Sequence, residues 1–365
     1  MRRAGLPPHS SDGAGMLPDG LEVVGAPPAP RPGEVLAVLV VRNEALRLPA
    51  CLRHLRGLGV HRVIVIDNGS DDGSVEIAVE HRADLIRAPG SYAASGFGIA
   101  WVNAVLDRFG RGHWVLVVDA DELLVFPGSD RVGLSALCAH LDAIGSEALP
   151  TLLLDCFPPG PLADCAVRPG DDLIAAAPCF EVPDLREEAV ADFPYRLAYG
   201  GLRERLFFPD ADPRRLATWL RRRAWNLAWR LPPLRRLAWL RPPESPTLTK
   251  LPLLRWREGA ALLGSTHRMA PMRLAAGQPT GVLLHFKFLQ DFHARALDAV
   301  ARNAHWDGSR EYRRYLARIE AEPGFALAGP HSLRYRGPDQ LEGLGLMRAT
   351  DAWRAAMQDA VTARR

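Results

Sequence analysis

The run Val35-Leu36-Ala37-Val38-Leu39-Val40-Val41 constrains this chain more than any other feature. An unbroken apolar run of that length, rich in β-branched residues, fits a strand covered on both faces. The usual home of such a strand is a parallel sheet packed between helices. The chain then turns polar at once, at Arg42-Asn43-Glu44. The same change happens twice more. Val63 to Ile66 runs into Asp67-Asn68-Gly69-Ser70-Asp71-Asp72, and Trp114 to Val118 runs into Asp119-Ala120-Asp121-Glu122.

Helical patterns fill the gaps. Leu48, Cys51, Leu52, Leu55 and Leu58 recur at helical spacing, with Gly57 and Gly59 marking the end. A short helix is expected from about Ser74 to His81, and a strand from Asp84 to Ala88. Trp101, Val102, Val105, Leu106 and Phe109 form one face of a further helix. Strands alternating with helices at this spacing mean an α/β fold, a Rossmann-like, mostly parallel sheet with helices on both faces. Ligands of such sheets bind beyond the carboxyl ends of the strands, where these polar clusters stand. The Gly-x-Gly-x-x-Gly of a dinucleotide fold does not follow the first strand.

Composition narrows the class. A chain of 365 residues buries a large core. It has no run of about 18 apolar residues, so no membrane-spanning helix is expected. Met1-Arg2-Arg3 is not followed by the apolar stretch of a secretory signal. Residues 1–33, rich in Pro, Gly and small side chains, read as a disordered leader. The five cysteines include no Cys-x-x-Cys pair, which suggests reduced thiols in the cytoplasm. A net charge of +3 is too small to imply nucleic acid as a partner. Among the cations only Lys250 and Lys287 are lysines. A compact ammonium differs chemically from the planar fork of arginine, which draws attention to both positions.

Asp119 and Asp121 carry the chemistry. Hard divalent cations such as Mg²⁺ and Mn²⁺ take carboxylate oxygens and need few protein ligands when phosphates and water complete the shell. Two carboxylates at i and i+2, just past a buried strand, suit a cation that offsets the charge of a leaving nucleoside diphosphate. One can reach the metal while the other takes a ribose or supports the first. A solvated acidic loop is the plainer alternative for a lone pair of this kind; the buried strand before it and the two other polar strand ends argue against that. Asp71 and Asp72 read as a turn and helix N-cap.

These three motifs, in this order and spacing, resemble the family 2 glycosyltransferases of the GT-A fold, most closely the bacterial branch with an R-N-E opening and a D-A-D-E metal motif. The resemblance covers residues 35–127. It implies a metal-dependent, inverting transfer of sugar from a nucleoside diphosphate sugar to a glycan or lipid-linked acceptor, such as a cell-surface polysaccharide. Arg42, Asn43 and Glu44 would line the nucleotide pocket, Asp67 would bind the base, Asp119 would face the ribose, and Asp121 would hold the metal, with Asp119 as a further metal residue. The expected organisation is a nucleotide-sugar half from 34 to 130, a mixed α+β acceptor half from 131 to 350, and a C-terminal helix and tail from 351 to 365.

Later segments complete the reading. Val282 to Leu289 reads as a strand with Leu284, Phe286 and Phe288 on one face and His285 and Lys287 on the other. Related transferases bring a late histidine to the metal, which implies His285 as a ligand, with Lys287 on phosphate and His267 as a rival of His285. For the base that deprotonates the acceptor, Glu204 is the first candidate, Asp184 the alternative, and Asp155 and Glu181 further ones. Arg203 and Arg205 are expected donor-phosphate contacts.

The stretch 214–241 holds nine Arg and four Trp. It reads either as a helix packed on a face of Leu216, Leu220, Ala224, Leu227 and Leu231, or as a peripheral contact with the anionic inner face of a membrane. Pro232-Pro233 cuts the helix short and favours the first. Two other functions fit the same pattern: a sugar nucleotidyltransferase, and a non-catalytic glycan- or nucleotide-binding protein on the same fold.

Overall fold

In the computed structural model, the structure describes residues 17–189, 195–230, 243–302, 306–322 and 324–362. Its centre is a nine-stranded sheet. In chain order the strands are β1 (Glu22–Val24), β2 (Val35–Val41), β3 (Arg62–Asp67), β4 (Asp84–Arg87), β5 (Trp114–Val117), β6 (Glu122–Val125), β7 (Ala148–Asp155), β8 (Thr249–Arg255) and β9 (Gly281–His285). Across the sheet they run β1-β4-β3-β2-β5-β8-β7-β9-β6.

The block β4-β3-β2-β5 is parallel. Strand β8 joins it antiparallel to β5 and, on its other side, antiparallel to β7. Strand β9 then lies parallel to β7, and β6 antiparallel to β9. The carboxyl ends of β2, β3, β5, β7 and β9 therefore reach one edge, together with the amino ends of β6 and β8. Strand order reverses between β2 and β5, the kind of crevice where open α/β sheets bind ligands.

Alternation along β2 explains the layers. Val35, Ala37, Leu39 and Val41 face the core that includes α1 (Leu48–Gly57) and α4 (Leu134–Ala143). Leu36 and Val38 face the opposite core with α3 (Ile99–Val105), Trp256 and Met269. Each such Val or Leu contributes roughly 1.5–3 kcal/mol by leaving water. Between β3 and β4 lies α2 (Ser74–Glu80). A third, aromatic cluster holds Phe157, Phe207, Phe288, Phe292 and Tyr315. It joins α5 (Gly201–Phe207) to α7 (Phe292–Ala301) and α8 (Trp306–Ala321). The remaining long helices are α6 (Leu216–Arg230) and α9 (Asp351–Thr362).

Four expectations need correction. The leader was drawn too long: Pro18–Gly20 forms a helical turn and β1 pairs with β4, because Leu17 and Leu21 are buried against the α3 layer. Residues 1–16 lie outside the described residues. Strand β9 stops at His285 rather than Leu289, since the carbonyls of Phe286 and Lys287 accept from the Arg47 guanidinium instead of a neighbouring strand. The segment 157–200, Pro-rich and irregular by its sequence, holds an antiparallel pair of strands, Arg186–Ala189 and Arg196–Tyr199. Finally, α6 does not pack on its leucines: Leu216, Leu220 and Leu227 are exposed, while Thr218 is buried with its hydroxyl on the Asp210 carbonyl. The part of that stretch from 231 to 241 is outside the described residues, as are 363–365.

Candidate functional site

Two loops from the parallel block interlock at the switch point. The Asp67 carboxylate accepts from the amides of Gly69 at 3.1 Å and Ser70 at 3.2 Å. Asn68 donates to the carbonyls of Ala88 and Gly90. Ser70 accepts from the Asn43 amide, Ser74 from the Glu44 amide, and Asp72 from the Ala45 amide. Asn43 sits at φ 55°, a left-handed conformation that Asn tolerates, and its side chain accepts from the Asp71 amide. Beside these loops opens a cavity of about 290 Å³ lined by Arg42, Asn68, Gly69, Tyr92 and Arg302.

Glu44 turns the other way. It is buried and takes both guanidinium nitrogens of Arg295, at 2.7 and 2.8 Å. Burial raises its carboxyl, against the pull of Arg295. Nearby, the fully buried Arg47 is held by Asp291 at 2.6 and 2.7 Å and by the Phe286 carbonyl. These pairs fasten the start of α1 to the segment after β9.

The acidic cluster is assembled from distant strands. Glu122 and His285 are opposite one another on the β6–β9 ladder, and His285 is level with Asp155 on β7. Lys250 enters from the amino end of β8. Register shifts there between Lys250 and Leu253, where Pro252 has no amide to give the ladder. Such a bulge re-aims side chains. The Lys250 ammonium lies 2.8 Å from Asp119 and 2.6 and 2.7 Å from the two oxygens of Glu122. Glu122 also accepts from the Asp119 amide. Burial pushes the Glu122 carboxyl up to about 7, and Lys250 opposes the shift. Burial alone would lower Lys250; Asp119 and Glu122 override it and hold the ammonium above the ordinary lysine range.

His285 stands between two acids. Its Nδ1 is 2.6 Å from Asp155, and its Nε2 is 3.5 Å from Asp121. Asp155 is in turn gripped by Arg203 through two bonds of 2.8 Å. Burial would raise Asp155, but Arg203 and His285 hold it below the usual carboxylate range. Burial would likewise lower His285, and Asp121 and Asp155 raise it instead. At Asp121 burial is outweighed mainly by His285, and the carboxyl lies well below its ordinary value.

Hence most buried acids here have a close cation of their own: Glu44 has Arg295, Asp155 has Arg203, and Glu122 has Lys250. Asp121 is the exception. Its ion-pair partner among the described residues is His285, at 3.5 Å. A neutral ring that donates Nδ1–H to Asp155 turns the Nε2 lone pair toward the Asp121 carboxylate, whereas a protonated ring donates to both acids. Two facing acceptors need a cation or a proton between them. Asp121, Glu122 and His285 can bring ligand atoms within 4.8 Å of one another. Glu122, though, already has both oxygens on Lys250, which leaves Asp121 and His285 as the pair open to a divalent ion. Asp119 borders them with its side chain 58 % exposed.

Several expected residues lie elsewhere. Glu204 is not free to act as a base: Arg186 holds it at 2.7 and 2.9 Å, and Ser245 donates to it at 2.7 Å. Asp184 is bonded to Arg214 on the surface, and Glu181 to Arg205 at 2.7 and 2.9 Å. Arg203 and Arg205 are thus occupied by Asp155 and Glu181 rather than left open for phosphate. Lys287 lies beyond the end of β9, in the ion-pair network behind His285, where Glu311 joins it to Arg203. It meets Glu311 at 3.3 Å and the rings of Tyr312 and Tyr315. His267 is not at the Asp121 side; its Nδ1 meets the Thr249 carbonyl, and burial with Lys250 nearby lowers it to about 4. Sequence reasoning missed the roles of Lys250, Asp155, Arg47 and Arg295. The rarity of lysine was the one signal that pointed at any of them.

Residues 37–127 match the family Glycosyl transferase family 2. The matched segment carries the loops after β2, β3 and β5. A TPR repeat-containing protein of Synechococcus elongatus is 37% identical over 92 residues, which is 25% of this chain and 21% of that protein. Two solved structures overlap about a third of the chain. Staphylococcus aureus TarS has a TM-score of 0.26 and 20% identity, over 34% of this chain and 21% of its own. Mannosyl-3-phosphoglycerate synthase from Rubrobacter xylanophilus has a TM-score of 0.26 and 22% identity, over 34% and 40%. The chain thus spans well under two thirds of each of these proteins.

Proposed function

We propose that this protein transfers a sugar from a nucleoside diphosphate sugar to a glycan or lipid-linked acceptor, with a divalent cation, Mn²⁺ or Mg²⁺, held by Asp121 and His285. The observation that carries the reading is the pair itself. A buried carboxylate and a buried imidazole nitrogen face each other 3.5 Å apart beside the switch point, and Asp155 fixes the far side of the ring. A histidine ligand backed by a carboxylate is a recurrent way to orient a metal site. When bound, the ion would offset the negative charge that grows on the departing diphosphate.

The chain's own residues supply the rest. The cavity beside Asn68, Gly69 and Tyr92 has room for a nucleobase, and Arg42 and Arg302 stand at its walls. Asp67 shapes the Gly69–Ser70 turn of that wall through its own backbone bonds. Lys250 fixes the exposed Asp119 carboxylate where a ribose hydroxyl could donate to it. An inverting course belongs to the proposal on the strength of the family resemblance. The acids named for the base are all tied to arginine, so the base is left unassigned. Five free cysteines fit a reducing compartment, and the cytoplasm is the proposed location.

The test is release of nucleoside diphosphate from a panel of nucleotide sugars, with and without Mn²⁺. Asp121→Asn is expected to lower turnover about a thousandfold, about 4 kcal/mol of transition-state stabilisation, with the fold intact by circular dichroism. Full turnover by Asp121→Asn after chelation would sink the metal reading. Release of inorganic diphosphate instead would point to nucleotidyl transfer.

A further inference from the structure

Helix α6 carries an open apolar stripe on a segment with no negative charge. Leu216, Leu220 and Leu227 are 69, 51 and 62 % exposed, and Trp219 beside them is 43 % exposed. At helical spacing the four share one side. The opposite side meets the body of the protein through Thr218 on the Asp210 carbonyl and Arg222 on Glu188 at 3.0 Å. Arg223 lies over the Trp219 ring within the stripe, and Arg215 and Arg221 are exposed near it. From Pro213 to Pro243 the sequence has nine Arg and no Asp or Glu. The rest of the chain mixes both signs.

We propose that this face of α6 lies on an anionic lipid bilayer, with its leucines and Trp219 at the headgroup boundary and its arginines on lipid phosphates. The charge argues for that occupant. A patch for a second copy of this chain gains nothing from unbalanced arginines, which would meet one another across a two-fold axis. The three leucines have no stacking face for nucleic-acid bases, and Arg223 already lies over the Trp219 ring, whereas an apolar stripe flanked by arginine is the pattern of helices that lie in a membrane interface. No helix among the described residues is long and apolar enough to cross a membrane, so the contact would be peripheral.

The full chain tests this by co-sedimentation with vesicles of mixed phosphatidylglycerol and phosphatidylcholine, and with phosphatidylcholine alone. The expected result is sedimentation with the anionic vesicles only, weakened by salt. Leu216→Ser/Leu220→Ser/Leu227→Ser should weaken it at least tenfold, and Arg215→Glu/Arg221→Glu should do the same. All five positions are exposed, so both variants should keep the wild-type circular dichroism spectrum. Each of these results overturns the proposal: no sedimentation of the wild type at low salt, equal binding to neutral vesicles, undiminished binding by either variant, or a dimer by light scattering that the triple serine variant splits. Retention on single-stranded RNA without vesicle binding would also overturn it. Donor turnover is a separate readout, so failure here leaves the proposed reaction standing.

Discussion

The two acidic strand ends of this sheet are built in opposite ways. At the end of β3, Asp67 spends its carboxylate on amides two and three residues ahead, and Asp72 and Ser74 bind the loop after β2. At the end of β5, Asp119, Asp121 and Glu122 are completed by Lys250 from β8 and His285 from β9, with Asp155 and Arg203 behind them. The first loop exchanges hydrogen bonds within itself and with the adjoining loop after β2, and losing one should cost little. In the second, charge balance depends on strands far apart in the chain. Losing one partner there strands a buried charge.

The largest effect should follow from Lys250→Met. Glu122 would be left buried without its cation, at a cost of about 3–5 kcal/mol in chemical denaturation. Adding Glu122→Gln should restore much of that loss; a double variant no more stable than the single one would mean the pair is not what couples these strands. Acid should come next. The ring of His267 is lowered by burial, then by Lys250, to about 4 in the folded chain, from 6.5. The unfolded chain therefore takes up the proton first. The stability tied to this neutral ring is whole above pH 6.5 and is lost as pH falls toward 4, by roughly 3 kcal/mol in full. Thermal melts of His267→Gln should be flatter over that range than those of the wild type.

A smaller change is expected at Asp155→Asn, which loosens the hold on His285. Mn²⁺ affinity of the folded fraction, followed by electron paramagnetic resonance, should fall about 10–100-fold. Unchanged affinity would separate Asp155 from the metal and leave it as a partner of Arg203 alone. The smallest is Asp72→Ala in the loop after β3, at about 1 kcal/mol. A loss several times larger would erase the contrast between the two strand ends.

That contrast also explains what could be read from sequence. The strands β2 to β5, their helices and all three polar strand ends follow from apolar runs and local turn chemistry, because the residues that settle them are near neighbours. The identity of Asp119–Glu122 as a cluster was legible for the same reason. Its completion was not. Nothing in the alternation of Val282–Leu289 says that the strand ends at His285, since the Arg47 side chain that takes the next carbonyls comes from the start of α1. Glu204 looked available because its partner Arg186 lies on a strand outside the helix that carries Glu204. The leucines of α6 looked like a packing face because periodicity reports a stripe and not what covers it.

Strand β8 has a further consequence, for synthesis of the chain. Strand β5 leaves the ribosome with one edge unpaired, and the segment that covers it, Thr249–Arg255, is made much later. Until then the nascent sheet shows bare amides and an apolar strand, a template for pairing with the wrong chain. Because that same late strand delivers Lys250, the sealing of the edge and the neutralising of the acidic cluster arrive as a single event, and a nascent chain that stops short of Thr249 has neither.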